Sequence, residues 1–169
     1  TSSVASAITI AGGTTLTVSG TTTFDSTSTG TSSINTGGLT VLGNVDVEAD
    51  GSHAGTTVLN FGGSGTQTFD LTGAEAIMDM DITVNKNGGQ VNLGSTLTVN
   101  ATNQDLTIQE GTFDVAGNVL TVSGTGVTFT VESGGNLQLQ GTETPTAPTF
   151  SVGSSLTYDG SATYTGLSM

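Results

Sequence analysis

The sequence predicts an all-β protein, a right-handed parallel β-helix of about seven coils with three short strands in each coil of about 23 residues. Three observations lead to this prediction. Apolar residues make up only 33% of the 169 residues, and Gly, Thr and Ser fill the difference. A short apolar–polar–apolar unit recurs along the chain, and every third unit falls at a nearly constant interval.

The low apolar content occurs both in disordered chains and in all-β proteins that are rich in tight turns. In this chain the apolar residues are mainly Val, Leu, Ile and Phe in a regular pattern, which a disordered chain lacks. A length of 169 residues is sufficient to bury a core. We therefore expect a single solenoid domain over residues 1–169.

The recurring unit is a polar residue with one apolar residue on each side. This alternation is typical of a strand with one buried face. The units occupy residues 8–10, 16–18, 39–41, 45–47, 82–84, 91–93, 97–99, 106–108, 113–115, 120–122, 129–131, 137–139, 150–152 and 156–158.

The spacing of these units indicates a three-sided coil. The central residues of every third unit are 22 to 24 positions apart, in the pairs Thr83/Thr107, Thr107/Thr130, Asn92/Asp114, Asp114/Gln138, Thr98/Thr121 and Thr17/Thr40. Three strands per period correspond to one turn of a parallel β-helix. Gly-rich segments at 87–89, 124–126 and 133–135 are expected to form corners between the faces.

An antiparallel β-sandwich of short strands is the alternative fold. The units here are mostly six to nine residues apart, which is short for a sandwich, and a sandwich has no reason for a triplet period. Residues 19–37 have only Phe24 and Ile34 as large apolar anchors, so a loop or a weakly packed coil is expected there. Two prolines predict an interruption over residues 141–149.

One longer strand is predicted where the alternation continues from Ala76 to Asn85. The residues expected on its buried face are Ala76, Met78, Met80, Ile82 and Val84. The opposite face is mostly polar, which indicates that only one side of this strand packs on the core.

The charge balance is strongly acidic, because 14 Asp and Glu accompany a single Lys and no Arg, for a formal net charge of −13. Nucleic acids and anionic membranes are bound mainly through Lys and Arg, so neither is an expected partner. No stretch is long and apolar enough for a transmembrane helix, and no membrane insertion is expected. A surface of this kind is typical of exported proteins and predicts a secreted or cell-surface location.

Three motifs in the segment from Ile82 to Gly124 suggest a family: ITVNKNGG at 82–89, LTVN at 97–100 and GTFDVAGN at 111–118. They resemble the repetitive β-helical surface proteins of bacteria, namely autotransporter passengers and filamentous-haemagglutinin-like adhesins. The resemblance covers roughly a third of the chain well. It implies a secreted or surface-displayed β-helix, and it implies no active-site residues, because the repeats of such proteins carry none.

Few residues suit catalysis, since His53 is the only His, Lys86 is the only Lys, and Cys and Arg are absent. His53 is expected in an exposed loop, because the chain has no nucleophile-elbow sequence that would place it in a triad. Lys86, between two Asn residues, is expected in a turn. A glycan-active β-helix with paired carboxylates is the enzymatic alternative, but we predict no enzyme.

A metal site is suggested by alternate acids that end in Gly51, a pattern like the first half of a calcium loop. The predicted ligands are Asp46, Glu48 and Asp50, and calcium is the candidate cofactor. The twelfth position of such a loop needs an acid, and Thr57 stands there. The alternative is a row of acids that simply face solvent above a buried apolar face.

Thr-x-Thr pairs recur at 15/17, 66/68, 96/98, 128/130 and 163/165. Flat threonine arrays on solenoids bind ice, but these pairs do not recur once per coil in one register. Ordinary β-propensity on an exposed face also accounts for them.

Neither end of the sequence has an amphipathic helix that would cap a solenoid. The predicted assembly residues near the two ends are Ala7, Ile8, Thr9, Ile10, Tyr158, Tyr164 and Leu167. We therefore expect a non-enzymatic extracellular structural protein, a filament subunit or adhesin shaft whose copies join head-to-tail. The expected partner is a second copy, with surface glycans as another candidate. The alternatives are a carbohydrate- or ice-binding solenoid and a glycan-active enzyme.

Overall fold

The computed structural model describes residues 7–25, 31–48, 52–72, 77–161 and 167. The described chain consists of β-strands, turns and irregular segments. The strands are β1 Ala7–Thr9, β2 Thr15–Val18, β3 Thr22–Phe24, β4 Thr31–Asn35, β5 Gly38–Val41, β6 Val45–Val47, β7 Ser52–Ala54, β8 Val58–Phe61, β9 Thr66–Leu71, β10 Ile77–Met78, β11 Ile82–Leu93, β12 Leu97–Val99, β13 Asp105–Asp114, β14 Leu120–Val122, β15 Thr128–Val131, β16 Gly135–Leu139, β17 Thr149–Phe150 and β18 Ser155–Tyr158. In the part of the chain that the structure describes, no helix is long and apolar enough to cross a membrane.

The strands stack on three faces. Face A contains β1, β4, β7 and β10, followed by the separate pair β12 and β14; face B contains β2, β5, β8, β15 and β17; face C contains β3, β6, β9, β16 and β18. Strands β11 and β13 each bend, so that the first part of each lies on face B and the last part on face C. The described strands form six complete coils, numbered 1 to 6 along the chain, and two strands of a seventh.

The predicted parallel β-helix is confirmed, because the paired strands of the described chain run parallel to one another. The antiparallel sandwich is wrong. The six residue pairs predicted from spacing are all register partners: Thr83/Thr107, Thr107/Thr130, Asn92/Asp114, Asp114/Gln138, Thr98/Thr121 and Thr17/Thr40. The spacing predicts the register correctly because the chain returns to the same face, one coil higher, after each repeat.

The core lies inside the coils, where the apolar residues of each unit stack on their equivalents above and below. On face B, the side chains of Leu39, Leu59, Ile82 and Leu106 form one such stack, and all four are buried. Neighbouring parallel strands are about 4.8 Å apart, so each side chain contacts the one in the next coil. Burying each such side chain stabilises the fold by about 1.5–3 kcal/mol.

The single long strand expected over residues 76–85 is wrong, because the chain turns a corner between β10 and β11. Met78, Met80, Ile82 and Val84 are nevertheless all buried, as the alternation predicted, while Ala76 lies outside the described residues. The inward alternation of side chains therefore continues through the corner, although residues 79–81 belong to no strand.

Residues 19–37, where a loop or weak coil was expected, contain β3 and β4. Residues 26–30 lie outside the described part. Phe24 is buried, and Ile34 packs against the core while partly exposed. These two anchors, one on each strand, therefore position faces C and A in the first two coils.

Residues 141–148 contain no strand. Pro145 in this irregular segment is buried, and the Thr146 hydroxyl accepts a hydrogen bond from the Val122 N–H of β14 at 3.1 Å. The segment thus runs along face A above β14. The Thr146 hydroxyl therefore takes the place of a backbone carbonyl as the acceptor for the Val122 N–H.

Candidate functional site

The first coil exposes apolar residues that occupy core positions. Ile8 is the register partner of Ile34, and Leu16 is the register partner of the buried Leu39. Ile8 is 56% exposed and Leu16 is 47% exposed. Among the described residues, no strand pairs with the outer edges of β1, β2 and β3. The strand edges and the core are therefore both open at this end of the described stack.

The predicted assembly residues at this end differ in accessibility. Ala7, Ile8 and Thr9 form β1 and are exposed. Ile10 is buried, and its N–H donates to the Asn35 carbonyl at 3.0 Å. Ile10 therefore belongs to the core of the first two coils, whereas the three residues before it lie on the free edge.

The opposite end is formed by β17 and β18. Phe150 and Leu156 continue the core stacks of Val131 and Leu137 and are partly exposed. Tyr158 lies at the end of β18 and donates a hydrogen bond from its hydroxyl to the Leu167 carbonyl at 3.1 Å. Leu167 packs against the core, and Tyr164 lies outside the described residues.

The predicted calcium ligands are only partly assembled. Asp46 is in β6, Glu48 is exposed just after it, and Asp50 lies outside the described residues. Asp46 is the register partner of Asp70 in β9, and these two line an open pocket of about 220 Å³ with oxygen-bearing neighbours that include Asn44. Among the described residues, no three His, Cys, Asp or Glu side chains are grouped closely enough to hold a metal ion. Calcium binding stays a prediction.

His53 does not lie in an exposed loop, so that expectation is wrong. It is in β7, is 2% exposed, and packs its ring against Phe24 with the ring centroids 5.6 Å apart. Burial lowers the pKa of His53, and the charge of Asp25 opposes this effect. The imidazole is therefore part of the interior of face A.

Lys86 is also buried, and the turn predicted for it is wrong. It lies in β11, where its Nζ donates to the Gly62 carbonyl at 2.9 Å and to the Gln67 side-chain carbonyl in the coil below. The Gln67 amide in turn donates to the carbonyls of Val41 at 3.1 Å and Gly43. This chain of hydrogen bonds links three successive coils inside the corner between faces B and C.

Stability should depend on pH through Lys86. Because burial lowers its pKa below the ordinary value of 10.5, the unfolded chain binds more protons than the folded chain between the two pKa values. The free energy of unfolding should therefore rise with pH in this window, relative to a Lys86→Met variant. Urea unfolding of both proteins at several pH values from about 7 to 10 measures the difference. The tyrosines are common to both and cancel; two parallel curves would contradict the prediction.

Glu143 is buried, and its carboxylate fills a nest of backbone N–H groups. One oxygen accepts from Gly117 at 2.7 Å and Gln140 at 2.9 Å, and the other accepts from Gly141 at 2.8 Å and Thr142 at 3.0 Å. Burial by itself would raise the pKa of Glu143, but the backbone N–H donors hold it below its usual range. The carboxylate therefore attaches the irregular segment to the corner before β14.

The pKa of Asp114, a neighbour of Glu143, is shifted in the opposite direction. Burial raises the pKa of Asp114, the Ala116 N–H opposes this, and the charges of Asp159 and Glu143 raise it further. Carboxyls with divergent pKa values are a feature of acid–base catalysts. In this pair, however, Asp114 accepts hydrogen bonds from Ala116 and from two glutamine side chains, and the Glu143 oxygens are occupied in the nest. The divergence is explained by structural contacts.

A file of polar residues follows one outward register position on face B. Its members are Thr17, Thr40, Asn60, Thr83, Thr107, Thr130 and Thr149. Of the Thr-x-Thr pairs in the sequence, by contrast, 15/17 and 128/130 lie on face B and 66/68 lies on face C, while 163/165 lies outside the described residues. At about 4.8 Å per coil the file is about 29 Å long.

No protein-family model, no curated protein and no solved structure matches the chain. The likeness to bacterial surface β-helices therefore rests on the three sequence motifs and on the predicted fold, which the structure shares. It stays a resemblance.

Proposed function

We propose that this chain is a non-enzymatic structural protein of the cell exterior, a filament subunit or adhesin shaft whose copies associate head-to-tail. The observation that carries the proposal is the first coil, where Ile8 and Leu16 stand in core positions and yet are about half exposed. Exposed strand edges of this kind favour pairing with another chain.

Strand direction supports a second copy as the occupant. All coils run parallel, so the free edges of β2 and β3 and those of β17 and β18 point the same way around the stack. A copy placed on the first coil by continuing the screw would present Phe150 and Leu156 to Leu16 and its neighbours. Such a contact is heterologous and does not close, so repetition produces a filament.

The exterior location is supported by composition. A net charge of −13, one Lys and no Arg leave the side faces acidic, which disfavours nucleic-acid partners.

The same negative charge makes copies of the chain repel one another, and salt screens this repulsion. Assembly is therefore expected to increase between low and moderate ionic strength.

Electron microscopy and sedimentation of the purified chain test the proposal. The expected result is fibres with an axial repeat near 34 Å, the height of about seven coils at 4.8 Å each. A variant with Ile8→Glu and Leu16→Glu should remain folded and dispersed, because it places negative charge at the contact between two acidic copies. The matched control is Val119→Glu, since Val119 is 58% exposed but lies between β13 and β14, away from both ends.

Two outcomes would contradict head-to-tail association. Wild-type chains that sediment as monomers at high concentration and moderate salt would do so, as would fibres that survive the double substitution. If the wild-type chains are monomers, the file of polar residues on face B becomes the better-supported functional surface. Binding to a repetitive polysaccharide or to ice would then be the function to test.

A further inference from the structure

His53 is the only large side chain that β7 contributes to the interior of face A. The next inward position after it is Gly55, which has no side chain. The register partners of His53 are Ser32 in coil 2 and the buried Met78 in coil 4. A titratable imidazole therefore stands at a core position that the next coil gives to an apolar side chain.

The two ring nitrogens of His53 have no polar partner among the described residues. Neither Nδ1 nor Nε2 forms a hydrogen bond, and both have essentially no surface that water can reach. The ring packs against Phe24 instead, with the ring centroids 5.6 Å apart. An imidazolium donates from both nitrogens and carries a full charge, so protonation here would enclose a charge and two N–H groups without an acceptor.

The titratable groups on the described segments around His53 are carboxylates. Asp25 follows β3, Glu48 follows β6 and Asp79 follows β10, whereas β4 has no titratable residue. The Asp79 N–H donates to the His53 carbonyl at 2.8 Å. Burial lowers the pKa of His53 below its ordinary value of 6.5, and the charge of Asp25 opposes this effect. Loss of solvation therefore outweighs attraction to the carboxylates.

Face A of the first coils has little other apolar packing. Strands β1, β4, β7 and β10 form a separate four-stranded sheet. The sequences of β4 and β7 are TSSIN and SHA, so Ile34 is their only large apolar side chain, and it is partly exposed. In coils 5 and 6, by contrast, β12 and β14 contribute four buried side chains to the same face, namely Leu97, Val99, Leu120 and Val122. Loss of the His53 packing should therefore release the first coils selectively.

We propose that His53 is an acid-sensitive switch in the first coils: protonation of its ring opens face A at β4, β7 and β10, while coils 5 and 6 stay folded. This opening does not depend on filament assembly. Between the lowered pKa of the folded ring and 6.5, the opened strands bind more protons than the closed ones. The stability of these coils is therefore fully present above pH 6.5 and is lost as the pH falls below it.

The first experiment is a titration of the wild-type chain from about pH 7.5 to about pH 5, followed by nuclear magnetic resonance of the ring. His53 is the only histidine, so its ring signals are unambiguous. We expect its titration midpoint to lie well below 6.5.

Amide hydrogen exchange in the same samples measures the opening. The Asp79 N–H, which joins β10 to β7, should lose up to about thirtyfold of its protection by pH 5, the limit set by protonation of His53 in the opened strand. The Ser123 N–H donates to the Val99 carbonyl on the same face in coils 5 and 6. Its protection should change by less than about twofold.

Variants assign the effect to the imidazole. His53→Met introduces the residue that occupies this register position in coil 4 and cannot be protonated, so the Asp79 N–H should keep its protection on acidification. Asp25→Asn removes the charge that favours the imidazolium and should move the ring midpoint to lower pH. The matched control, Asp46→Asn with Asp70→Asn, removes paired acids on face C and should leave the ring midpoint where it is in the wild type.

Two results would overturn the proposal. A ring midpoint at or above 6.5 would show that the fold accommodates the imidazolium. If the protection of the Asp79 N–H stays constant, or falls in parallel with that of the Ser123 N–H, acid does not open the first coils selectively. Both results are measured on the wild-type protein, so they do not depend on whether any variant folds.

Discussion

Replacing Gly55 with Ala is expected to lower the free energy of unfolding by about 4 kcal/mol, enough to prevent folding of a marginally stable chain. Gly55 follows β7 with a φ of +139°, a conformation that L side chains rarely adopt. An added Cβ would overlap the Ile34 carbonyl oxygen and lie 2.7 and 2.8 Å from the Ile34 C and N atoms. These are backbone atoms of the coil below, and the Ile34 oxygen also accepts from Thr57 N–H. The coils would therefore have to separate.

Two matched variants divide this effect into its components. Gly13→Ala meets no atom within 4 Å but has a φ of +75°, so it measures backbone strain alone, about 1–3 kcal/mol. Gly65→Ala has neither a close neighbour nor a positive φ, and its stability should stay within about 0.5 kcal/mol of the wild type. Urea unfolding followed by circular dichroism measures all three. A Gly55→Ala protein as stable as Gly65→Ala would show that the coils are not packed this closely.

Replacing Glu143 with Gln is expected to cost about 3 kcal/mol. A Gln side chain has nearly the same shape, but only one of its two ends can accept hydrogen bonds. Two of the four backbone N–H groups around the carboxylate would then face an NH₂ group. The irregular segment 141–148 would lose its attachment to the corner at Gly117, while the strand ladders below it would remain.

The pH dependence gives an independent check on Glu143. Its folded pKa lies below the ordinary value of 4.5, so its stabilising contribution is present above that value and is lost as the pH falls through the folded pKa. The difference in free energy of unfolding between wild type and Glu143→Gln should therefore shrink on acidification. Glu110→Gln, at an exposed position of β13, is the control and should change stability by less than about 0.5 kcal/mol. Equal effects of the two substitutions would refute the nest.

The buried polar residues show where sequence reasoning stopped short. Lys86 continues the inward alternation of Ile82 and Val84, and Gln67 stands on the same side of β9 as Phe69. The period-two alternation of the sequence therefore already indicated that the Lys86 and Gln67 side chains point inward. The turn expectation for Lys86 was drawn from its Asn neighbours, and local propensity was overridden by the pairing of β11 with the coils on either side.

Glu143 and His53 carried no comparable signal. Glu143 lies outside any strand, so no alternation assigns its direction, and its partner Gly117 is 26 residues away in sequence. His53 lies in a three-residue strand without large apolar neighbours in sequence. Its burial results from Met78, in the next coil of the same face, and from Phe24, which comes from face C.

The amino-acid sequence by itself determined the strand units, the three-sided period and the register between coils. It could do so because each of these is a repeating local pattern, and a repeat of 22 to 24 residues returns the chain to the same face. Only the tertiary structure decided which polar residues are enclosed, where the pocket at Asp46 opens and which apolar residues stand at an open edge. Those properties depend on side chains from different coils whose separation in sequence follows no repeated pattern, and on the volumes that they leave unfilled.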